Sequence, residues 1–306
     1  MILTLTVNPA LDVYTTVAHI KSSDKLRCEM PTKDPGGGGV NVSRVIKRLG
    51  GDSTAIYTKG GYTGEIFHEL LQKEGVIQDS VKVKNDLRQN FAVTETSTGE
   101  LFRFGMTGAA LDETEYEDIL KKIDLYSQAS FLVASGSLPA GAPDNFYAEV
   151  SKRAKKHNIK FILDTSGTAF SAALEEGAFL MKPNMRELQD LTTYTPENEE
   201  EQKKMLLEVK RTYNIEVLVV SLGAKGAFLV NNSTFQHFPA PQVEHVSSIG
   251  AGDSMVAGIT YSLAQGNSVE NAILYGLACG SATIKSPGTE LLQKKDVEAL
   301  FSRLKK

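Results

Sequence analysis

The chain has 306 residues, 33 Lys and Arg against 37 Asp and Glu, a formal net charge of −4 and two cysteines. This length fits one large domain, or a domain with an appendage, and is ample for a buried core. The acidic balance argues against a chain held to nucleic acid or to an anionic membrane by bulk charge. Cys28 and Cys279 are too few for a disulfide framework or a thiolate zinc site. No uncharged apolar run approaches the roughly 18 residues that span a bilayer, so we expect a cytoplasmic globular protein.

Patterns of strands and helices alternate along most of the chain. Residues 2–7 read as a strand, and residues 42–49 carry the apolar stripe of a helix. Further strand patterns fall at 54–57, 130–134, 161–163, 179–181 and 217–220, with helical stripes at 66–71 and 116–123. These strand runs are apolar on both faces, as strands covered by helices on two sides should be. The alternation predicts a doubly wound, mainly parallel α/β sheet with helices on both faces.

Two stretches interrupt this alternation. About residues 10–33 carry no helical stripe, and residues 88–106 contain a predicted hairpin in which Asn90–Thr96 and Leu101–Phe104 flank a turn. Two such extended excursions can pair into a small sheet beside the core. We therefore predict a single domain over residues 1–306, with a β-sheet lid formed by about 10–33 and 88–106.

A run of glycines stands ahead of the first predicted helix, in Pro35-Gly36-Gly37-Gly38-Gly39-Val40-Asn41. Consecutive glycines let the backbone approach a ligand closely, and a helix start supplies free N–H groups and the positive end of a dipole. Asn41 adds an amide that can bond a hydroxyl or a phosphate. A flexible loop before a helix is the alternative, but the entropic cost of four glycines favours a ligand site.

Two familiar nucleotide motifs are missing. Counted from Gly36, the glycines do not fit G-x-G-x-x-G because the sixth position falls on Asn41, and G-x-x-x-x-G-K-[ST] occurs nowhere in the chain. Both a dinucleotide dehydrogenase and a Walker-type ATPase are therefore disfavoured.

A second glycine motif, Ile249-Gly250-Ala251-Gly252-Asp253, precedes an apolar helical pattern. An aspartate at a helix start is commonly an N-cap. Gly250 and Gly252, however, leave bare backbone N–H groups beside the Asp253 carboxylate. Phosphoryl transfer uses this combination, because the carboxylate accepts the proton of the acceptor hydroxyl while the amides stabilise charge on the transferring group.

Several weaker signals lie in predicted loops or just after predicted strands. Taken alone, each has an ordinary explanation as a turn, a helix start or a surface residue. They are Asp12, Arg88, the segment Ser135–Pro139, Asn184 and Glu187 after Lys182-Pro183, and the segment Ser221–Gly226. The five histidines show no metal-ligand spacing, and we assign them no role.

Together these segments resemble the phosphofructokinase B, or ribokinase-like, family of carbohydrate kinases, from Thr4–Asp12 to Pro287–Thr289. The glycine loop resembles the sugar-side signature of the family, and Gly250–Asp253 its catalytic signature. Four segments look like the minor 6-phosphofructokinase branch: Lys25–Cys28, Pro35–Gly39, Arg88–Asn90 and Ser135–Pro139. Tagatose-6-phosphate kinases and 1-phosphofructokinases are near relatives, and many of them carry Lys where this chain has Gly38.

The resemblance implies a role for each matching residue. Asp253 would be the base, with the backbone N–H groups of Gly250, Ala251 and Gly252 as an anion hole. The sugar would be held by Asp12, Gly37, Gly38, Asn41 and Ser137, and its phosphate by Arg88 and Arg27. ATP and its magnesium would lie along Asn184, Glu187, Ser221, Gly223 and Gly226.

The resemblance also implies a monovalent cation, a regulatory site and an assembly. Potassium would be held by backbone oxygens in the stretches that contain Ser247 and Ile249, and Thr283, Ser286 and Gly288. In the most similar branch a second, inhibitory ATP involves a lysine that matches Lys25. Family members pair through their lids, so we expect a homodimer.

The expected activity is ATP-dependent phosphorylation of a ketohexose phosphate. The preferred hypothesis is conversion of fructose 6-phosphate to fructose 1,6-bisphosphate. Tagatose 6-phosphate and fructose 1-phosphate are alternative acceptors, as is an unphosphorylated sugar or nucleoside. A non-catalytic sugar-phosphate sensor is an alternative of another class. Retention of Asp253 with its glycines disfavours the sensor, since a sensor needs no base.

Overall fold

A computed structural model of the chain describes residues 1–192, 194–232 and 234–305. Its strands, in chain order, are β1 Ile2–Thr6, β2 Ala10–Val17, β3 Thr32–Gly36, β4 Thr54–Lys59, β5 Ile77–Lys82, β6 Arg88–Glu95, β7 Leu101–Phe104, β8 Phe131–Ser135, β9 Lys160–Asp164, β10 Ala178–Met181, β11 Ile215–Ser221, β12 Ala227–Val230 and β13 Phe235–Phe238. The helices are α1 Gly38–Leu49, α2 Gly61–Lys73, α3 Glu113–Asp124, α4 Phe146–Lys156, α5 Gly167–Glu176, α6 Met185–Thr192, α7 Glu199–Thr212, α8 Ala251–Ala264, α9 Val269–Ile284 and α10 Lys294–Leu304.

The large sheet has the strand order β13-β12-β11-β10-β9-β8-β1-β4-β5. Every pairing from β5 to β11 is parallel, and β12 and β13 extend that edge as antiparallel strands. Parallel strands present their carboxyl ends at one edge, which is where ligands bind in open α/β sheets. The predicted mainly parallel sheet is confirmed.

Helices cover both faces of this sheet, because neighbouring residues of a strand point to opposite faces. Leu132 and Leu218 belong to one buried cluster with residues of α3, α4, α5 and α7. Val133 and Val219 belong to a second cluster with residues of α1, α8, α9 and α10. These strands are therefore apolar throughout, as the sequence pattern indicated.

A separate small sheet has the order β3-β2-β6-β7. β2 pairs in parallel with β6, while β3 and β7 pair antiparallel at its two edges. The pairing of Thr94 with Leu101 and of Phe91 with Phe104 is the hairpin expected from the sequence. β3 was not expected as a strand, and it carries the small sheet to Gly36, into the glycine run.

Among the described residues, no helix combines the length and the apolar character that crossing a bilayer requires.

Candidate active site

A cavity of about 430 Å³ lies between the small sheet and the two glycine motifs. The small sheet and the loop after it contribute residues on one side, and the starts of α1 and α8 contribute residues on the other. Its lining residues are Asp12, Val13, Gly37, Gly38, Asn41, Arg88, Asn90, Phe91, Ala92, Arg103, Phe104, Gly105, Ile249, Gly250, Asp253 and Thr289. Both sequence motifs singled out for ligand binding therefore face one space.

Asp253 lies in the first turn of α8, where its carboxylate faces this cavity. The N-cap of the helix is Gly250, with φ of 73°, so Asp253 is not the cap residue. Asn41 Nδ2 donates to Asp253 Oδ2 at 2.9 Å, and Ser135 Oγ donates to Oδ1 at 3.3 Å. Each carboxylate oxygen thus has a donor that fixes its position.

Burial raises the pKa of the Asp253 carboxyl above its usual value, and the Asp164 carboxylate raises it further. The hydrogen bond from Asn41, the Lys182 ammonium and the hydrogen bond from Ser135 act in the opposite direction. A carboxylate with a raised pKa is a stronger proton acceptor, which suits a general base.

The start of α8 has the backbone geometry of an anion site, because the first N–H groups of a helix lack acceptors within it. Of the three backbone N–H groups predicted to form the anion hole, that of Ala251 donates a hydrogen bond to Ser248 O at 3.3 Å. A Cβ atom at Gly252 would lie 3.8 Å from the Lys182 ammonium, so a second positive group lies beside this helix start.

The glycine run is tightly packed between the small sheet and the core. Gly36 ends β3, and a Cβ atom there would lie 2.0 Å from Asp12 Oδ2. A Cβ atom at Gly38 would lie 2.1 Å from Ser135 Oγ, and Gly37 has φ of 112°. Larger side chains would push these carboxylate and hydroxyl groups aside. The alternative of a flexible loop does not describe this run, which forms a strand end and a helix start.

Asp12 projects into the cavity from β2, and Asn90 Nδ2 on β6 donates to its Oδ1 at 2.8 Å. Burial raises the pKa of this carboxyl, an effect that the Asn90 hydrogen bond and the Arg88 guanidinium oppose. Arg88 is anchored by two carbonyl oxygens, Met106 O at 2.8 Å and Asn8 O at 2.9 Å. Arg103 on β7 lines the same cavity and is exposed.

Lys182 follows β10 and is buried, with Nζ 3.1 Å from Asp164 Oδ1 at the end of β9. Burial lowers the pKa of this ammonium, but the surrounding carboxylates, Asp164 foremost, together outweigh that effect and raise the pKa. The charges of Glu187 and Asp253 add to the increase. One ammonium therefore stands among three carboxylates.

The predicted nucleotide segments meet at the carboxyl ends of β10 and β11. Asn184 forms an isolated parallel bridge with Ser221. Glu187 N donates to Asn184 Oδ1 at 2.9 Å, and Asn184 N donates to Glu187 Oε2 at 2.8 Å, a reciprocal capping of α6. Gly223 begins a single 3₁₀ turn, and Gly226 follows it. A Cβ atom at Gly226 would lie 1.9 Å from Phe238 O of β13.

Magnesium fits this region without a cage of protein ligands. Burial raises the pKa of the Glu187 carboxyl, and the Asp164 carboxylate adds to the increase against the opposing effects of the Asn184 N–H group and the Lys182 ammonium. A divalent cation beside Glu187 would favour its charged form. Within the described ranges, no three His, Cys, Asp or Glu side chains are grouped to hold a metal. Magnesium is commonly held by one or two carboxylates and the phosphates of a substrate.

The two stretches expected to hold a monovalent cation are adjacent. Ser247 N donates to Ile284 O at 3.1 Å, and Ser247 Oγ donates to Gly288 O at 2.8 Å. Thr283 O accepts from Ser286 N at 2.9 Å. Ile249, in the first stretch, lines the cavity. A carbonyl oxygen that accepts one hydrogen bond keeps a second lone pair for a cation.

Of the expected sugar-binding residues, Ser137 and Arg27 lie outside the cavity lining, as do Lys25 and the expected nucleotide residues Asn184, Glu187, Ser221, Gly223 and Gly226. Ser137 is exposed, and Ser135 is the serine of that segment that reaches Asp253. Lys25 and Arg27 lie in the exposed segment between β2 and β3.

Sequence reasoning missed four residues of the site. Asn90 and Arg103 fell within the predicted hairpin, whose alternation shows which residues share a face but not what that face meets. Ser135 opened a segment that was interpreted as a turn after a strand, and Lys182 preceded Pro183 and Asn184, where a helix start was the alternative considered. The signal that could have found Lys182 is a charged residue directly after a buried strand, beside a candidate metal motif.

Comparison with known proteins places this site in a family. The model of the pfkB family carbohydrate kinases matches residues 7–296. ATP-dependent 6-phosphofructokinase isozyme 2 of Escherichia coli K12 is 39% identical over 99% of this chain and 98% of that protein. 1-Phosphofructokinase of Borreliella burgdorferi is 32% identical, over 100% of this chain and 98% of its own. Tagatose-6-phosphate kinase of Staphylococcus epidermidis is 30% identical over 99% of this chain and 98% of that protein. The chain belongs to the pfkB family of carbohydrate kinases.

Solved structures agree with this assignment. Phosphofructokinase-2 from Escherichia coli in complex with potassium superimposes with a TM-score of 0.95 at 38% identity, covering 100% of this chain and 99% of that one. The same Escherichia coli protein is known in complex with fructose-6-phosphate and as a tetrameric inhibited form, each with a TM-score of 0.93. Arabidopsis thaliana ribokinase, 20% identical with a TM-score of 0.78 over 98% of each chain, shares the fold. The predictions of a ribokinase-like fold and of a carbohydrate kinase are confirmed.

Proposed function

We propose that this kinase transfers the γ-phosphate of ATP to fructose 6-phosphate, forming fructose 1,6-bisphosphate with magnesium as the divalent cation. The observation that carries the proposal is the cavity itself, which has the Asp253 carboxylate at one side and the Arg88 and Arg103 guanidinium groups at the other. Paired cationic forks suit a phosphate that stays on the sugar, while the carboxylate suits the hydroxyl that reacts. The 39% identity to a 6-phosphofructokinase supports the same acceptor.

The chain's own groups account for the reaction. Asp253 takes the proton of the acceptor hydroxyl as that oxygen bonds to phosphorus and the bond to ADP breaks. The backbone N–H groups at Gly250 and Gly252 and the Lys182 ammonium stabilise negative charge on the transferring group. The small sheet acts as the lid, excluding water so that ATP is not hydrolysed without a sugar.

Gly38 favours fructose 6-phosphate over the acceptors of the related kinases that carry Lys at this position. A side chain at Gly38 would meet Ser135 Oγ at 2.1 Å and the backbone N of Gly136 at 2.8 Å. The packing of this chain is therefore built for a glycine here. Tagatose 6-phosphate and fructose 1-phosphate remain the alternatives that the experiment separates.

The test is the steady-state rate of ADP release from Mg-ATP with fructose 6-phosphate, tagatose 6-phosphate or fructose 1-phosphate, with and without potassium. We expect the highest kcat/KM with fructose 6-phosphate and activation by potassium. A higher kcat/KM with either other sugar would reassign the acceptor. If none of the three sugar phosphates is turned over, the assignment as a sugar-phosphate kinase is contradicted and unphosphorylated sugars are tested next.

We also propose that two copies pair through their small sheets. Large apolar side chains of the small sheet and its connecting segment are exposed: Phe91 and Phe104, which also border the cavity, are 41% and 51% exposed, and Met30 is 90% exposed. Apolar surface of this kind is typical of a protein interface. Sedimentation velocity should give a dimer or a larger even assembly for the native chain and a monomer for Phe104→Asp. A monomeric native chain would contradict the pairing.

A further inference from the structure

Arg44 is a buried arginine of α1 whose side chain is 2% exposed. Its guanidinium neutralises two partly buried carboxylates. Nε donates to Glu74 Oε1 at 2.9 Å, and Nη2 donates to Glu74 Oε1 at 2.6 Å and to Asp34 Oδ1 at 3.1 Å. Glu74 follows α2, and Asp34 belongs to β3 of the small sheet.

The remaining guanidinium nitrogen, Nη1, serves a different purpose. It donates to Pro35 O at 2.9 Å and to Asn41 Oδ1 at 3.3 Å. A guanidinium carries five N–H hydrogens, and Arg44 has an acceptor for each of them. Charge neutralisation by Glu74 and Asp34 does not require the contact to Asn41, which lies one helical turn away on the cavity side.

The contact determines which way the Asn41 amide points. With Oδ1 held by Arg44, Nδ2 faces Asp253 Oδ2 at 2.9 Å. A rotation of the amide by 180° would set its oxygen against the Asp253 carboxylate and its NH₂ group against the guanidinium. Both new contacts would be repulsive, so Arg44 allows only one orientation of the Asn41 side-chain amide.

We infer that Arg44 is a positioning residue that orients the Asn41 amide and, through it, holds Asp253 Oδ2 in the position from which the carboxylate accepts the substrate proton. The inference rests on the proposed function, because it gives Asp253 the role of base. Arg44 also binds Asp34 and Pro35, so the edge strand β3 of the small sheet and the orienting amide share one guanidinium.

The kinetic test compares Arg44→Lys with Glu74→Gln, alone and in an Asn41→Ala background. Lysine keeps the charge but has no planar fork to hold the amide. We expect Arg44→Lys to lower kcat by roughly 10- to 100-fold, since small displacements of a reacting group are costly, with little change in KM for ATP. In the Asn41→Ala background the same substitution should change kcat by less than about 3-fold, because the group through which Arg44 acts is gone.

Glu74→Gln is the matched control, since it weakens the same buried ion pair without touching Nη1. We expect it to lower the unfolding midpoint at least as much as Arg44→Lys while leaving kcat within about 2-fold of the native value. Equal losses of kcat in the two variants would overturn the inference, because they would follow from the ion pair alone. Independent, multiplicative effects of Arg44→Lys and Asn41→Ala on kcat would overturn it too.

A second readout needs no catalysis. The readout is an NMR spectrum of protein labelled with ¹⁵N-asparagine. The side-chain amide signal of Asn41 is identified as the one that is missing from the spectrum of the Asn41→Ala variant. Arg44→Lys should shift that signal and speed its hydrogen exchange, whereas Glu74→Gln should leave it in place. An unshifted signal would reject the orienting contact. If the native chain has no sugar kinase activity but Arg44→Lys still shifts the Asn41 signal, the proposed function is rejected and the orienting contact stands.

Discussion

The Lys182 ammonium lies 3.1 Å from the Asp164 carboxylate, and the two side chains are only 7% and 17% exposed. They stand at the carboxyl ends of neighbouring parallel strands, β10 and β9. The pair joins the two halves of the proposed site, since the Lys182 ammonium interacts electrostatically both with Glu187, in the proposed nucleotide region, and with Asp253, in the proposed sugar region.

Replacing Lys182 by Met is expected to destabilise the protein by about 3 kcal/mol, because it leaves the Asp164 carboxylate buried without its partner. Urea unfolding measures this change. The double variant Lys182→Met/Asp164→Leu should regain most of the lost stability, since no unpaired charge remains. Its kcat should stay low, because the positive charge beside Gly252 is still missing. Full recovery of kcat in the double variant would show that Lys182 has only a structural role.

Replacing Asp253 by Asn is expected to lower kcat roughly 100-fold or more while leaving sugar-phosphate binding intact, because the base is lost and the shape is kept. Coupled ADP-release kinetics and calorimetric titration with fructose 6-phosphate measure the two effects. A kcat close to the native value would remove Asp253 from the role of base.

The same variant should be more stable than the native protein at neutral pH. The pKa of Asp253 is raised in the folded state, so the folded form binds its proton more tightly than the unfolded chain. Native stability therefore falls as pH rises through that folded-state pKa, whereas Asp253→Asn lacks this loss. Thermal unfolding from pH 4 to pH 8 should show the advantage of the variant growing with pH. An advantage that does not change with pH would argue against the raised pKa.

Replacing Arg88 by Ala is expected to raise KM for fructose 6-phosphate roughly 10-fold or more, the usual size of a lost hydrogen bond to a charged group. KM for ATP should change by less than about 2-fold. The matched control is Arg153→Ala, whose arginine pairs with Asp124 and Glu117 on the surface. Equal increases of both Michaelis constants in Arg88→Ala would reject a contact between Arg88 and the sugar phosphate.

Replacing Gly38 by Ala is expected to destabilise the protein by about 1–3 kcal/mol, because the new methyl group overlaps Ser135 Oγ and the backbone behind it. Gly105→Ala is the control, since a Cβ atom at Gly105 meets nothing within 4 Å. Chemical unfolding of the two variants measures the difference. Equal stability of both would show that the packing around Gly38 adapts without cost.

Local patterns were enough to find most of the core strands, several helices and the two motifs. The period of the apolar residues predicted α1 and every parallel strand of the large sheet except β5, and the glycines of both motifs indicated close backbone approach. An aspartate at a helix start is commonly an N-cap, but Asp253 could be singled out because Gly250 and Gly252 leave bare backbone N–H groups beside its carboxylate. These signals lie within short windows of sequence.

Contacts between distant segments could not be read in this way. Ser135 and Ser137 are two serines of one motif, and only the geometry at the end of β8 decides that Ser135 reaches Asp253, 118 residues later. The Asn41 amide was expected to face a substrate, but its orientation toward Asp253 depends on Arg44. β3 was missed because its residues, Thr32–Gly36, lack the β-branched alternation of a strand and pair only through β2.

The central pairing of the small sheet has a consequence for how the chain is made. Asp12 of β2 lies beside Asn90 of β6, and 78 positions separate them. The intervening chain includes α1, β4, α2 and β5, which pack in the core. Long-range pairing of this kind is slow to form. A nascent or truncated chain that ends before residue 88 therefore carries β2 with one edge open, and an open strand edge is a site at which chains can pair and aggregate.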